Sequence, residues 1–228
     1  KSGITYSKNL KVEAGSSGVR VTAFLTDGDR EDTDFTPSAP IDPSKSTIVL
    51  DAGHGGARSG AVYPDASGTE VLEKDLARSM TLKLRDRLVA AGYNVVLTRE
   101  SDVEVDLYER ADIANAVGAD LFISIHCNSN VNPAINGTEV YVFQQNTQSY
   151  WLAQHVLIGI VERVGTKDNG VRLNPSLFVL RRTSMPAILV ELAYLSNAED
   201  AQKLRDDPYG FAQGIYNGLL SYFGFAPL

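Results

Sequence analysis

From residue 47 onward the chain alternates between short apolar runs and longer stretches with apolar residues at helical spacing, which restricts the folds open to it. The runs fall at 48–50, 95–97, 121–126, 177–180 and 187–192, with an alternating segment at 139–143, and all six are predicted strands. Between them, Leu72, Leu76, Met80, Leu84 and Leu88 recur every four residues, one stripe of a long helix closed by Gly92. Leu107, Ala111 and Ala114 mark a second helix, residues 150–164 a third, and Phe211, Ile215 and Leu219 one face of a last. Strands interleaved with crossover helices predict one α/β domain over 47–228, a mostly parallel mixed sheet flanked by helices. In such sheets ligands gather beyond the carboxyl ends of the strands.

Residues 1–46 have another texture. Leu10, Val12 and Ala14, then Val19, Val21, Ala23 and Leu25, alternate with mostly polar neighbours around Gly15-Ser16-Ser17-Gly18, the period-two signature of a β-hairpin. This predicts an N-terminal hairpin extension over 1–26, readable either as the tail of a preceding module or as two strands added to the main domain. An acidic linker with three prolines is predicted over 27–46.

Composition narrows the chemistry. A single cysteine, Cys127, rules out an intrachain disulfide and thiolate-rich metal sites, so any metal must be held by histidine and carboxylate. The net charge of −7 argues against nucleic acid as a partner. No apolar run approaches the ~20 residues of a membrane span. The chain begins at Lys1 with no charged-then-apolar leader ahead of its first structured segment, the look of a mature or trimmed fragment.

Of the three histidines, His54 follows a strand within DAGHGG, and His126 closes the strand LFISIH. A lone strand-end histidine is ordinarily one bonded to backbone. Two at the same rim of the sheet, one of them flanked by glycines, point to a ligand site. Helical spacing turns Glu73 toward the sheet at the start of the first long helix, although an acid there also complements the helix dipole. Glu70 and Asp75 are the solvated alternatives. In AILVEL, Glu191 follows four apolar residues, and a buried carboxylate needs a partner, a metal or a catalytic role. Two histidines and one glutamate would leave a fourth zinc position open for water, as in catalytic sites, with carbonyl hydrolysis as the expected reaction class.

IVLDAGHGG from 48, EKD from 73, GYNVVLTRESD from 92, ERADIANAVGADLFISIHCN from 109, GTEVYVF from 137 and PAILVELAYLSN from 186 together resemble the zinc-dependent N-acetylmuramoyl-L-alanine amidases of bacterial autolysins and endolysins. The resemblance spans roughly 47–223. It implies one Zn²⁺ per chain on His54, Glu73 and His126, with Glu191 as the catalytic glutamate. It also implies cleavage of the amide joining N-acetylmuramic acid to the L-alanine of peptidoglycan, outside the cell, in the wall or periplasm, by a monomer. Two other readings remain: a zinc peptidase cutting within the stem peptide, and a non-catalytic wall-binding domain on the same fold.

Some similar amidases carry an inhibitory helix after the second zinc histidine. The short stretch between His126 and the next strand leaves no room for one, so an open groove is expected. His155 is read as solvated or locally bonded, and Cys127 as a small buried residue facing away from whatever His126 addresses. Asn128 and Arg110 either touch substrate or brace the site, and spacing alone assigns neither. No substrate-binding residue is identifiable.

Overall fold

The computed structural model describes residues 10–15, 18–23, 45–64 and 67–224. Strands β1 (Leu10–Gly15) and β2 (Gly18–Ala23) pair antiparallel as a two-stranded sheet, matching the predicted hairpin. The predicted linker lies outside the described residues except for Lys45 and Ser46.

The domain then runs β3 (Thr47–Ala52), β4 (Val62–Pro64), β5 (Glu70–Leu72), α1 (Glu73–Ala90), β6 (Asn94–Leu97), α2 (Leu107–Ala116), β7 (Leu121–Asn128), β8 (Thr138–Val142), α3 (Gln148–Val164), β9 (Asp168–Leu173), α4 (Phe178–Arg182), β10 (Ala187–Tyr194), α5 (Ala198–Asp206) and α6 (Pro208–Tyr222). Six strands form one sheet in the order β6-β3-β7-β10-β8-β9. Every pairing is parallel except β10 with β8, so the sheet is mixed and mostly parallel, as expected.

Alternation along the central strands divides the core. Ile48, Leu50, Ile123, Ile125, Ile188 and Val190 face the larger layer, built from α1, α3 and α6 with Met80, Leu84, Val156, Ile160, Phe211 and Ile215. Val49, Phe122, Ala187 and Leu189 face a smaller layer that includes Ala114 of α2 and Val179 and Leu180 of α4. Burying one such side chain is worth about 1.5–3 kcal/mol. The strands and layers together aim the carboxyl ends of β3, β7 and β10 at one rim.

One predicted strand is corrected. Residues 177–180 are not extended: Phe178–Arg182 is the short helix α4. Val179 and Leu180 are buried side by side while Arg181 and Arg182 are both exposed, a helical arrangement that a four-residue apolar run does not distinguish from a strand. The strands β4, β5 and β9 and helix α5 carry too few apolar residues to have been read from the pattern. Residues 129–137, between β7 and β8, hold turns and no helix. Among the described residues no helix is long and apolar enough to cross a membrane.

Helices α3 and α6 meet through glycines. A Cβ on Gly159 would strike Gly214 and Gly218, and one on Gly218 would strike Val156 and the His155 carbonyl. Backbone is the obstacle in each case, so the helices would have to separate. Gly159→Ala should therefore lower stability by about 1–3 kcal/mol even though alanine favours helix. A thermal midpoint at or above wild type would contradict this account of the packing.

Candidate metal centre and active site

His54 sits just past β3 with its own backbone in the left-handed region (φ 59°), followed by Gly55 (φ 128°) and Gly56 (φ 56°). Few non-glycine residues adopt that conformation, and it persists where the surroundings enforce it. Here two buried guanidiniums do so. Arg110 donates to Asp51 Oδ1 (2.6 Å), the Ala52 carbonyl (2.7 Å) and the His54 carbonyl (2.7 Å). Arg99 donates to the carbonyls of Ala52 (2.9 Å), Gly53 (2.8 Å) and Lys74 (2.8 Å). Asp51 also accepts from the hydroxyls of Thr98 and Ser124, both at 2.6 Å. Arg110 is thus a brace, which settles one of the two roles left open for it.

Glu73 opens α1, where no side chain caps the helix. Loop carbonyls serve instead: Glu73 N–H donates to Ala61 O (2.9 Å) and Lys74 N–H to Ser59 O (3.0 Å). Ala61 N–H returns a bond to Glu73 Oε2 at 2.7 Å, which locks the carboxylate. As expected, Glu73 is buried, while Glu70 and Asp75 are exposed.

The three side chains converge. Glu73 Oε1 lies 3.0 Å from His54 Nε2 and 2.8 Å from His126 Nδ1, and the two imidazoles stand nearly edge to face with centroids 4.9 Å apart. One donor atom from each falls within 4.8 Å of the others, so the group could hold a metal ion. The spacing suits a tetrahedral cation with ligand bonds of about 2.0–2.2 Å. Glycines make the room: a Cβ on Gly53 would overlap the His126 ring, and one on Gly60 would strike Glu73 and His54. Burial opposes ionisation of Glu73, yet the His126 and His54 hydrogen bonds outweigh it and hold the carboxyl well below the usual carboxylate range. Burial likewise opposes protonation of His126, but the Glu73 hydrogen bond and the charges of Glu191, Glu73 and Asp51 leave its proton affinity raised.

Glu191 is the register partner of His126 on the neighbouring strand, so both project to the same face. Its Oε2 is buried with no hydrogen-bond partner. Burial pushes its pKa up to about 7; His126 opposes that rise, while Glu73 and Glu139 add to it. Asn128 braces: its Nδ2 donates to Glu139 Oε1 at 2.7 Å. Cys127 packs in the core, and burial pushes its thiol well up, as expected of an inert residue. His155 Nδ1 pairs with Ser221 Oγ at 2.9 Å between α3 and α6, apart from the trio.

Sequence reasoning missed the supporting roles of Arg99, Asp51 and Glu139. Asp51 carried a signal of its own kind, an acid following three buried apolar residues on one strand.

Two histidines and a glutamate that could hold a metal ion thus stand beside a buried, unpartnered second glutamate at one rim of an α/β sheet. Residues 48–221 match the Amidase_3 family model, N-acetylmuramoyl-L-alanine amidase, and the chain belongs to that family. Over 181 residues it is 36% identical to N-acetylmuramoyl-L-alanine amidase LytC of Bacillus subtilis (strain 168), a match covering 78% of this chain and 35% of LytC. It is 37% identical over 182 residues to the endolysin of Bacillus phage SPP1, covering 74% of this chain and 64% of the endolysin. The chain thus spans about a third of LytC and just under two thirds of the endolysin. Among solved structures, the catalytic domain of CwlV, an N-acetylmuramoyl-L-alanine amidase from Bacillus (Paenibacillus) polymyxa var. colistinus, superposes with TM-score 0.71 at 37% identity, covering 78% of this chain and 97% of that domain. An N-acetylmuramoyl-L-alanine amidase from Clostridium difficile 630 gives 0.72 at 35% identity, with the same coverage.

The Asp51–Arg110 pair is open to a direct test. Burial raises the Asp51 pKa, but the Arg110 charge and the Ser124 and Thr98 hydroxyls outweigh it, leaving the carboxyl below its ordinary 3.8. A depressed folded value means that the stabilisation is complete above the ordinary value and is lost as pH falls through the folded one. Asp51→Asn leaves Arg110 buried without a counter-charge and should cost about 3–5 kcal/mol near neutrality. The same variant should show a flatter acid limb in its stability–pH curve. Denaturant midpoints equal to those of wild type at both neutral and acid pH would refute the brace.

Proposed function

We propose that this chain hydrolyses the amide between the lactyl group of N-acetylmuramic acid and the L-alanine of peptidoglycan, acting outside the cell on the wall. In this reading His54, Glu73 and His126 hold one zinc ion, and Glu191 handles the proton. The observation that carries it is the convergence of the three donor atoms within 4.8 Å, beside a Glu191 oxygen that is buried and unpartnered. The family match gives that site its substrate class.

A zinc ion on this trio would supply Lewis acidity toward water and the scissile carbonyl. The remaining steps belong to the chain. Glu191 Oε2, with no competing donor, accepts the proton of the attacking water. The apolar strand around Glu191 favours its neutral form, so the carboxyl keeps that proton and passes it to the departing alanine amine. Ala61 N–H and the helix start hold Glu73, and Arg110 and Arg99 hold the loop of His54, so the ligands stay in place while substrate enters. The turn-only segment 129–137 supports the reading of an open groove.

Glu191→Gln should cut kcat on purified sacculi by about 10²–10⁴-fold while bound zinc stays near one per chain by elemental analysis. Near-wild-type hydrolysis by this variant would remove Glu191 from the role. Chelation should abolish activity and added zinc should restore it, whereas His54→Ala should bind no zinc under the same conditions. Mass spectrometry of muropeptides digested by the purified chain alone separates the readings. Free L-alanine amino termini with intact glycan are expected. Cleavage between stem residues would indicate a peptidase, and no products would indicate a binding domain.

A further inference from the structure

The ionisable row at the sheet rim does not stop at Glu191. Strand β10 runs antiparallel to β8 with Glu191 opposite Glu139, as His126 stands opposite Glu191 on β7. Register partners share a face, so His126, Glu191 and Glu139 form one transverse line. Glu139 is buried, and its Oε1 accepts from Asn128 Nδ2 (2.7 Å), Tyr141 OH (3.0 Å) and Tyr194 OH (3.1 Å). Its other oxygen faces Arg172 on the edge strand β9, with Nε 3.4 Å from Glu139 Oε2. Among the described residues this is the only carboxylate within ion-pair reach of Arg172, whose side chain is 54% exposed. The contact is made through Nε, and among the described residues no other ion pair engages this guanidinium.

We propose that Arg172 is a specificity residue that binds a carboxylate on the stem peptide of the substrate, and that Glu139 is its positioning residue. The proposal rests on the amidase reading and extends it to the substrate's peptide. The chain carries a net charge of −7, and two glutamates line this rim, so a carboxylate approaching the site needs a fixed local cation. A guanidinium suits the task because its planar fork matches a carboxylate bidentately, and anchoring by a buried acid lowers the cost of ordering it. Reach also fits. Arg172 is in register with Tyr141 and through it with Leu189, so it stands two strands across and two residues along from Glu191, about 12 Å at ~4.8 Å per strand and ~3.3 Å per residue. A carboxylate about three to four residues beyond the scissile amide would arrive at the guanidinium.

The test compares a soluble muramoyl-peptide bearing free stem carboxylates with the same compound carrying them as amides. Wild type should prefer the free carboxylate by roughly tenfold in kcat/KM, mostly through KM. Arg172→Gln should cut both forms alike, and Arg172→Lys, which keeps the charge without the fork, should show an intermediate ratio. Glu139→Gln should narrow the ratio, whereas a purely structural role would slow both forms and leave the ratio unchanged. Each ratio is measured within one preparation, so any loss of folded protein cancels. An Arg172→Gln ratio equal to that of wild type overturns the proposal. Failure of wild type to cut either form overturns the amidase reading instead.

Discussion

The site depends on an ion pair that lies beneath it. Asp51 and Arg110 are both nearly inaccessible to water, and removing two charges from solvent is costly unless their bonding capacity is filled. It is filled here: two hydroxyls and a guanidinium satisfy the carboxylate, and the remaining guanidinium donors reach the carbonyls of Ala52, His54 and Val105. Arg99 adds the Gly53 and Lys74 carbonyls, so the turn carrying His54 is tied to the helix that carries Glu73. The left-handed backbone of His54 is held by this network, and with it the direction of the imidazole.

The sheet does the rest by register. On the face that carries the site, side chains change from apolar to polar along each strand: Phe122, Ser124 and His126 on β7, and Leu189 then Glu191 on β10. Parallel pairing of β7 and β10 brings the two polar ends level, and the one antiparallel strand, β8, contributes Glu139 to the same line. The mixed character of the sheet therefore decides which side chains meet at this rim. A parallel β8 would not pair Glu139 with Glu191 in this register.

Much of this was legible in the chain itself. His54, Glu73, His126 and Glu191 each sit in a local context that marks them out: glycines around one, a strand end for another, a helix start, and an acid in an apolar run. The long helices and central strands were legible for the same reason, since burial imposes a period on ten or more residues. Elements with few apolar positions, β4, β5, β9 and α5, carry no such period. At 177–180 four apolar residues were too few to separate helix from strand, and packing of Val179 and Leu180 against the sheet decided for helix.

Short-range periodicity and local residue chemistry were enough to read the class of fold and to single out His54, Glu73, His126 and Glu191 from the chain. How those residues are held, and what lies beside them, depends on contacts between distant parts of the chain. Arg110 meets Asp51 across 59 positions, Arg99 meets Gly53 across 46, and Tyr194 meets Glu139 across 55. No local pattern encodes such pairings. They exist because strands distant in the chain become neighbours in the sheet, where buried polar groups must find partners.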